Sequence, residues 1–146
     1  MPDRQTSIHI CITCRNIACR NITCPDPGEA SVAGERPGAR LYRALREAAA
    51  RRDAPVELIP VECLSVCKRP CTIGFSGAGK WTYVYGDFAP DEASAEAILD
   101  AAMLYAATPD GLIPWRQRPD ALKKGVVARI PPLIPHPIPD LPEAAE

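Results

Sequence analysis

Apolar and polar residues alternate from Ser7 to Ile12, with Ile8, Ile10 and Ile12 set apart by His9 and Cys11. A period of two predicts a strand with one buried face. From Ala39 to Arg52 the period lengthens. Leu41, Tyr42, Leu45, Ala48 and Ala49 share one side of a helix, and five arginines occupy the rest. Pro37 and Gly38 precede this helix and Asp53-Ala54-Pro55 ends it. Val56 to Val61 reads as a second strand, with Pro60 marking an edge or a strand end. Two short runs follow, Thr72 to Ser76 and Trp81 to Tyr85. Gly77-Ala78-Gly79-Lys80 separates them and predicts a hairpin. Asp91 then opens a helix to about Ala107, with Ile98, Leu99, Ala102, Met103 and Ala106 on its apolar face.

The order is therefore β-α-β, a connecting loop, then β-β-α. That is the thioredoxin-like order, and it predicts an α/β domain with a mixed sheet, because parallel strands need a crossover helix. Arg15 to Gly38 is a long irregular stretch punctuated by Pro25, Pro27, Gly28, Gly34 and Pro37. A loop of that length is usually functional or mobile. Beyond Thr108 the composition changes: nine of the 17 prolines lie between Pro109 and Pro142. The expected division is a domain over 1–107 and a proline-rich extension over 108–146, packed on the domain or on a partner subunit. Asp120 to Lys124 predicts one short helix. From Pro131 onward the prolines predict an extended arm, with a disordered tail as the competing reading.

Composition narrows the function. At 146 residues and 47 % hydrophobic content the chain suits one domain with its own core. A net charge of −1 argues against nucleic-acid binding, which needs a basic surface. No apolar run is long enough to span a membrane, and the start of the chain lacks the apolar segment of a signal peptide. A cytoplasmic location is the expectation. Thiols stay reduced there, so the seven cysteines point to metal or redox chemistry rather than to a disulfide framework.

Four of those cysteines form two short pairs, Cys11-Ile-Thr-Cys14 and Cys63-Leu-Ser-Val-Cys67. Each pair follows a predicted strand. If the two strands are parallel, their ends lie at one edge of the sheet and the pairs can meet. Converging thiolates hold iron–sulfur clusters or zinc. Cys19, Cys24 and Cys71 lie near enough in sequence to leave the ligand set open, and a second grouping joins Cys11 and Cys24 to Cys63 and Cys67.

The segments Cys11-Ile-Thr-Cys14-Arg15, Val61-Glu-Cys63-Leu-Ser-Val-Cys67-Lys-Arg-Pro-Cys71-Thr, Gly79-Lys-Trp-Thr-Tyr-Val-Tyr-Gly86 and Ala128-Arg-Ile-Pro-Pro132 resemble the DUF1636 family. The chain also resembles the thioredoxin-like [2Fe-2S] ferredoxins, in which a first-strand cysteine and a loop cysteine join a later C-x3-C motif. The DUF1636 resemblance spans Ile8 to Pro132. It implies a small metal-binding protein with a link to cobalamin metabolism. Both resemblances imply Cys11, Cys63 and Cys67 as ligands. They differ on the fourth: the first supplies Cys14, the second Cys24. Cys71 is then a spare thiol packed near the site, or a ligand of a different cluster type.

These readings converge on a [2Fe-2S] one-electron carrier that is not itself an enzyme. A homodimer is implied by the ferredoxin resemblance. Arg15, Arg20, Lys68 and Arg69 flank the cysteines. Cations there favour the more negative reduced cluster and steer a redox partner that is acidic at its docking face. Two alternatives remain: a structural zinc protein, and a dithiol oxidoreductase using Cys11 and Cys14. Gly74 to Lys80 partly matches a phosphate-binding loop, but Trp81 replaces the hydroxyl residue and the segment lies between two strands. His9 reads as a packed strand residue and His136 as incidental. Trp81, Tyr83 and Tyr85 share one face of the hairpin, which suits core packing or a dimer interface.

Overall fold

The computed structural model describes residues 6–13 and 36–133. Its first strand, β1 (Thr6–Cys11), lies inside the sheet with a neighbour on each side, and its Ile8 and Ile10 are fully buried. β2 (Val56–Val61) lies parallel to it, in register from Thr6 against Val56 to Cys11 against Val61. That pairing demands a crossover, which α1 (Pro37–Arg52) supplies. β3 (Ile73–Ser76) runs antiparallel along the other side of β1, and β4 (Thr82–Tyr85) returns beside β3 as a hairpin. α2 (Glu92–Ala107) follows. The sheet order is β2-β1-β3-β4-β5.

α1 and α2 pack against each other and against one face of the sheet. Leu41, Leu45 and Ala48 of α1 and Ile98, Leu99, Ala102 and Tyr105 of α2 are wholly buried there. α1 begins with Pro37 in its first turn, where the missing N–H costs nothing, and ends at Asp53, which adopts a left-handed φ of 48°. Arg51 and Arg52 near that end bridge to α2 through Glu92 (3.0 Å), Glu96 (2.8 Å) and Asp100 (2.7 Å). α2 is capped by Asp91, whose carboxylate accepts the Ser94 amide at 2.8 Å. Its other end is held by Lys80. That side chain is 3 % exposed and donates to the carbonyls of Tyr105 and Ala106, each at 3.0 Å.

Lys80 thus explains the glycine-rich segment before it. Gly77 to Lys80 is the turn of the β3–β4 hairpin, as its position between two strands predicts, and the lysine is spent on a helix end rather than on phosphate. The hairpin tyrosines are core residues, and Trp81 packs half-buried against that core. Tyr83 and Tyr85 stack with centroids 5.5 Å apart, and Phe75 meets Tyr85 edge-on at 5.5 Å. Burial pushes the hydroxyls of Tyr85 and Tyr105 well above the usual tyrosine range.

The sheet does not stop at residue 107. After α2 come a single 3-10 turn at Trp115–Gln117, the short helix α3 (Asp120–Lys123) and a fifth strand, β5 (Val126–Ile130), antiparallel to β4. The sequence reading places no strand there, because Val126–Ile130 is a short run of five residues set within a proline-rich stretch, and three of them prove to be exposed. β5 forms because it covers the open hydrogen-bonding edge of β4. The predicted arm beyond Leu133 and the irregular stretch from 14 to 35 lie outside the described residues.

Candidate metal centre

Topology brings the cysteines together. β1 and β2 are parallel, so Cys11 ends β1 level with Val61 at the end of β2. β2 and β3 flank β1 on opposite sides. The segment from Glu62 to Thr72 therefore has to cross over the end of β1 to reach β3. Cys11 sits beneath that crossing, and Cys63, Cys67 and Cys71 lie along it. The Cys11 amide donates to the Thr72 carbonyl at 3.1 Å, and the Ile12 amide to the Val61 carbonyl at 3.0 Å, which ties both ends of the crossing to β1.

The environments of the thiols differ. Cys11 is 4 % exposed, with its sulfur 3.8 Å from the Glu62 carbonyl and 4.0 Å from the Thr13 hydroxyl. Thr13 in turn donates to the same Glu62 carbonyl. Cys63 and Cys67 are exposed. The Ser65 amide donates to the Cys63 sulfur at 3.2 Å, and the Ser65 hydroxyl lies 3.8 Å from it. Cys71 is fully buried within the core cluster.

The crossing segment is conformationally unusual. Ser65 and Cys71 both have positive φ, 59° and 55°, and Asp87 beside them has 66°. Each is a non-glycine residue in the left-handed region, an arrangement that persists only where surrounding contacts hold it. One such contact is Arg69. Its guanidinium donates to the Asp87 carboxylate at 2.8 Å, to the Val126 carbonyl at 3.1 Å and to the Lys124 carbonyl at 3.2 Å. Thr72 donates its hydroxyl to the Arg69 carbonyl at 2.8 Å. The expectation that Arg69 acts as a cation biasing a cluster is thus modified: Asp87 offsets its charge, and its fork is committed to structure. Lys68 stays exposed.

The predicted ligands stand as follows. Cys11, Cys63 and Cys67 are placed at one edge of the sheet. They are not drawn into a closed site: among the described residues no group of three or more His, Cys, Asp or Glu side chains is arranged to hold a metal ion. Cys14, Cys24 and Cys19 lie outside the described residues, as do Arg15, Arg20 and His136. His9 is bonded through its ring to the Ser76 hydroxyl at 2.9 Å. The donor chemistry nonetheless suits a thiolate-bound centre: the described candidates are all sulfur, and one sulfur accepts a backbone amide. Sequence reasoning missed the structural roles of Arg69 and Lys80. Their partners lie far away along the chain, and no local spacing signals them.

The DUF1636 family model, a protein family of unknown function, matches residues 8–132. The chain belongs to that family. The match covers the segments whose motifs carry the resemblance. Among solved structures, this DUF1636 protein is similar to a thioredoxin-like [2Fe-2S] ferredoxin from Aquifex aeolicus. The two are 14 % identical, with a TM-score of 0.51, over 89 % of this chain and 97 % of that one. At that identity the likeness establishes the thioredoxin-like ferredoxin fold. No curated protein matches the chain. Among the described residues no helix is long and apolar enough to cross a membrane.

Proposed function

We propose that this DUF1636 protein is a one-electron carrier holding a [2Fe-2S] cluster through Cys11, Cys63, Cys67 and one of Cys14 or Cys24. The observation that carries the reading is the crossing of the Glu62–Thr72 segment over the end of β1, which places a C-x3-C pair above a strand-end cysteine. The shared fold with a [2Fe-2S] ferredoxin supports it. The cluster, when bound, would supply a single-electron couple. The chain's own contribution is to present the thiolates, donate the Ser65 amide to Cys63 and bury Cys11. Hydrogen bonding to sulfur and burial are two of the levers that set the potential of such a centre.

A carrier of this kind passes electrons to a partner enzyme and transforms no substrate itself. The proposed setting is the cytoplasm, with a homodimer as the assembly and an acidic docking face on the partner. A role beside cobalamin metabolism rests on the family resemblance alone.

Anaerobic purification followed by metal analysis, visible absorbance and EPR tests this. A red-brown protein with about two irons per chain and a rhombic signal on reduction is expected. A colourless protein with one zinc per chain overturns the proposal in favour of a structural metal site. Cys14→Ser and Cys24→Ser, made separately, then identify the fourth ligand. If both keep a full cluster, neither is that ligand and the assignment fails.

A further inference from the structure

The crossing segment carries two of the proposed ligands, yet between Glu62 and Cys71 it has no helix or strand of its own to hold it, only a turn at Cys67–Lys68. It also includes two residues at left-handed φ. We infer that Arg69 is the positioning residue of this segment, a fork that fixes the backbone carrying Cys63 and Cys67 against β4 and β5 before any metal binds. This rests on the reading of Cys63 and Cys67 as ligands.

The geometry has three parts. First, the Arg69 side chain joins three separate pieces of the fold. Asp87 follows the end of β4, Lys124 follows α3, and Val126 opens β5. Second, the backbone around Arg69 is tied in at both ends. Its amide donates to the Val66 carbonyl at 3.0 Å, and the Asp87 amide donates to the Pro70 carbonyl at 3.0 Å. Third, the fit leaves no slack. A Cβ added at Gly86 would lie 2.6 Å from the Arg69 carbonyl oxygen and 2.9 Å from its Cβ. Gly86 in turn donates its amide to Gly125 at 2.9 Å, so the β4 end, the turn before β5 and the cysteine segment are mutually locked.

A planar guanidinium suits this task and an ammonium does not. Three acceptors lying in different directions need a donor with several fixed N–H vectors. The consequence is that β5 and α3, which lie some sixty positions beyond the first described ligand pair, act on the candidate site through one side chain. No other described contact of Arg69 requires its charge to face the thiols.

The test uses full-length, metal-free protein. Arg69→Gln alone removes the cation bonded to the Asp87 carboxylate, so Arg69→Gln is combined with Asp87→Asn to remove that charge as well, and Arg69→Lys is made beside it. Amide hydrogen exchange is followed at Arg69 (residue 69 in each variant) and Asp87 (residue 87) as reporters of the segment, and at Ile8 and Ile10 as reporters of global opening. Exchange about tenfold faster at the two segment amides, with Ile8 and Ile10 unchanged, is expected for both variants. In the same variants, iron loaded anaerobically should be lost faster than from the wild type, with an altered EPR line shape. Uniform acceleration at all four amides, or none, overturns the proposal and leaves Arg69 as an ordinary contributor to stability. Wild-type behaviour in Arg69→Lys overturns the need for a fork. A wild-type protein that binds no iron sinks the electron-carrier reading instead, while the exchange data still decide the role of Arg69.

Discussion

The Ser65 amide donates to the Cys63 sulfur, 3.2 Å away, and Ser65 itself adopts a φ of 59°. The backbone before residue 65 aims the N–H, and the left-handed residue then turns the chain that follows it. An extended residue 65 would keep that N–H in place but carry Cys67 away from Cys63. The turn is therefore what converts a C-x3-C spacing into a pair of thiols on one loop.

Ser65→Val should destabilise the protein by ~1–2 kcal/mol, since a β-branched side chain tolerates the left-handed region poorly. Ser65→Gly keeps both the amide and the turn and should change stability by less than about 0.5 kcal/mol. Urea denaturation of the metal-free variants separates the two. Equal losses in both would mean that the serine hydroxyl, 3.8 Å from the sulfur, carries the effect instead.

Gly86→Ala should cost about 1–3 kcal/mol, because the added methyl meets backbone that cannot swing aside. The nearest atom is the Arg69 carbonyl oxygen, 2.6 Å from where the new Cβ would stand. A shift of Arg69 to make room would loosen its bonds to Asp87, Lys124 and Val126. Chemical denaturation measures the loss, and an unchanged midpoint would show that the contact relaxes freely.

Lys80→Met should cost ~2–3 kcal/mol by depriving the last carbonyls of α2 of a charged donor. The side chain is 3 % exposed, so water does not readily replace it. Lys80 also lies over the Tyr105 ring, 5.1 Å from its centroid, and a methionine retains that packing while losing the charge. Thermal unfolding followed by circular dichroism reads the change. A variant as stable as the wild type would show that Thr108, which donates to Tyr105 at 2.6 Å, suffices as a cap.

Tyr85 supplies a pH dependence. Its hydroxyl is buried without a hydrogen-bond partner among the described residues, and burial raises its pKa. In the unfolded chain the group ionises near pH 10, whereas in the folded protein it keeps its proton to higher pH. The unfolded state therefore binds fewer protons above that point, and stability falls as pH rises beyond about 10. Tyr85→Phe should flatten that decline and, by removing an unpaired hydroxyl, raise stability at pH 8 by ~1 kcal/mol. Urea midpoints at pH 8 and pH 11 for the two proteins check both statements. An identical alkaline decline in the variant would assign it to other groups.

Much of the fold is legible along the chain because its signals are local. A strand with one buried face must alternate, and Ile8 and Ile10 do; a helix on a core must repeat every three to four residues, and Leu41, Leu45 and Ala48 do. The predicted bounds of β2 match the structure outright, and those of β1, α1, β3, β4 and α2 differ by one or two residues at an end. The C-x3-C spacing and the strand before it were legible for the same reason.

What the sequence determined by itself is the first four strands, the two long helices, their order and the spacing of the cysteines, since each depends on residues within a turn or two of one another. Tertiary structure alone decided the rest. β5 is a short edge strand whose last three residues are exposed, and what fixes it is the free hydrogen-bonding edge of β4 beside it. Lys80 became a helix cap only when α2 folded back over the hairpin. Arg69 became a brace only when Asp87, Lys124 and Val126 were brought round it. The sheet order, with β1 between β2 and β3, sends the cysteine segment over Cys11. Such contacts join residues that are distant in the chain, and their energy depends on where packing puts each partner, which no local spacing encodes.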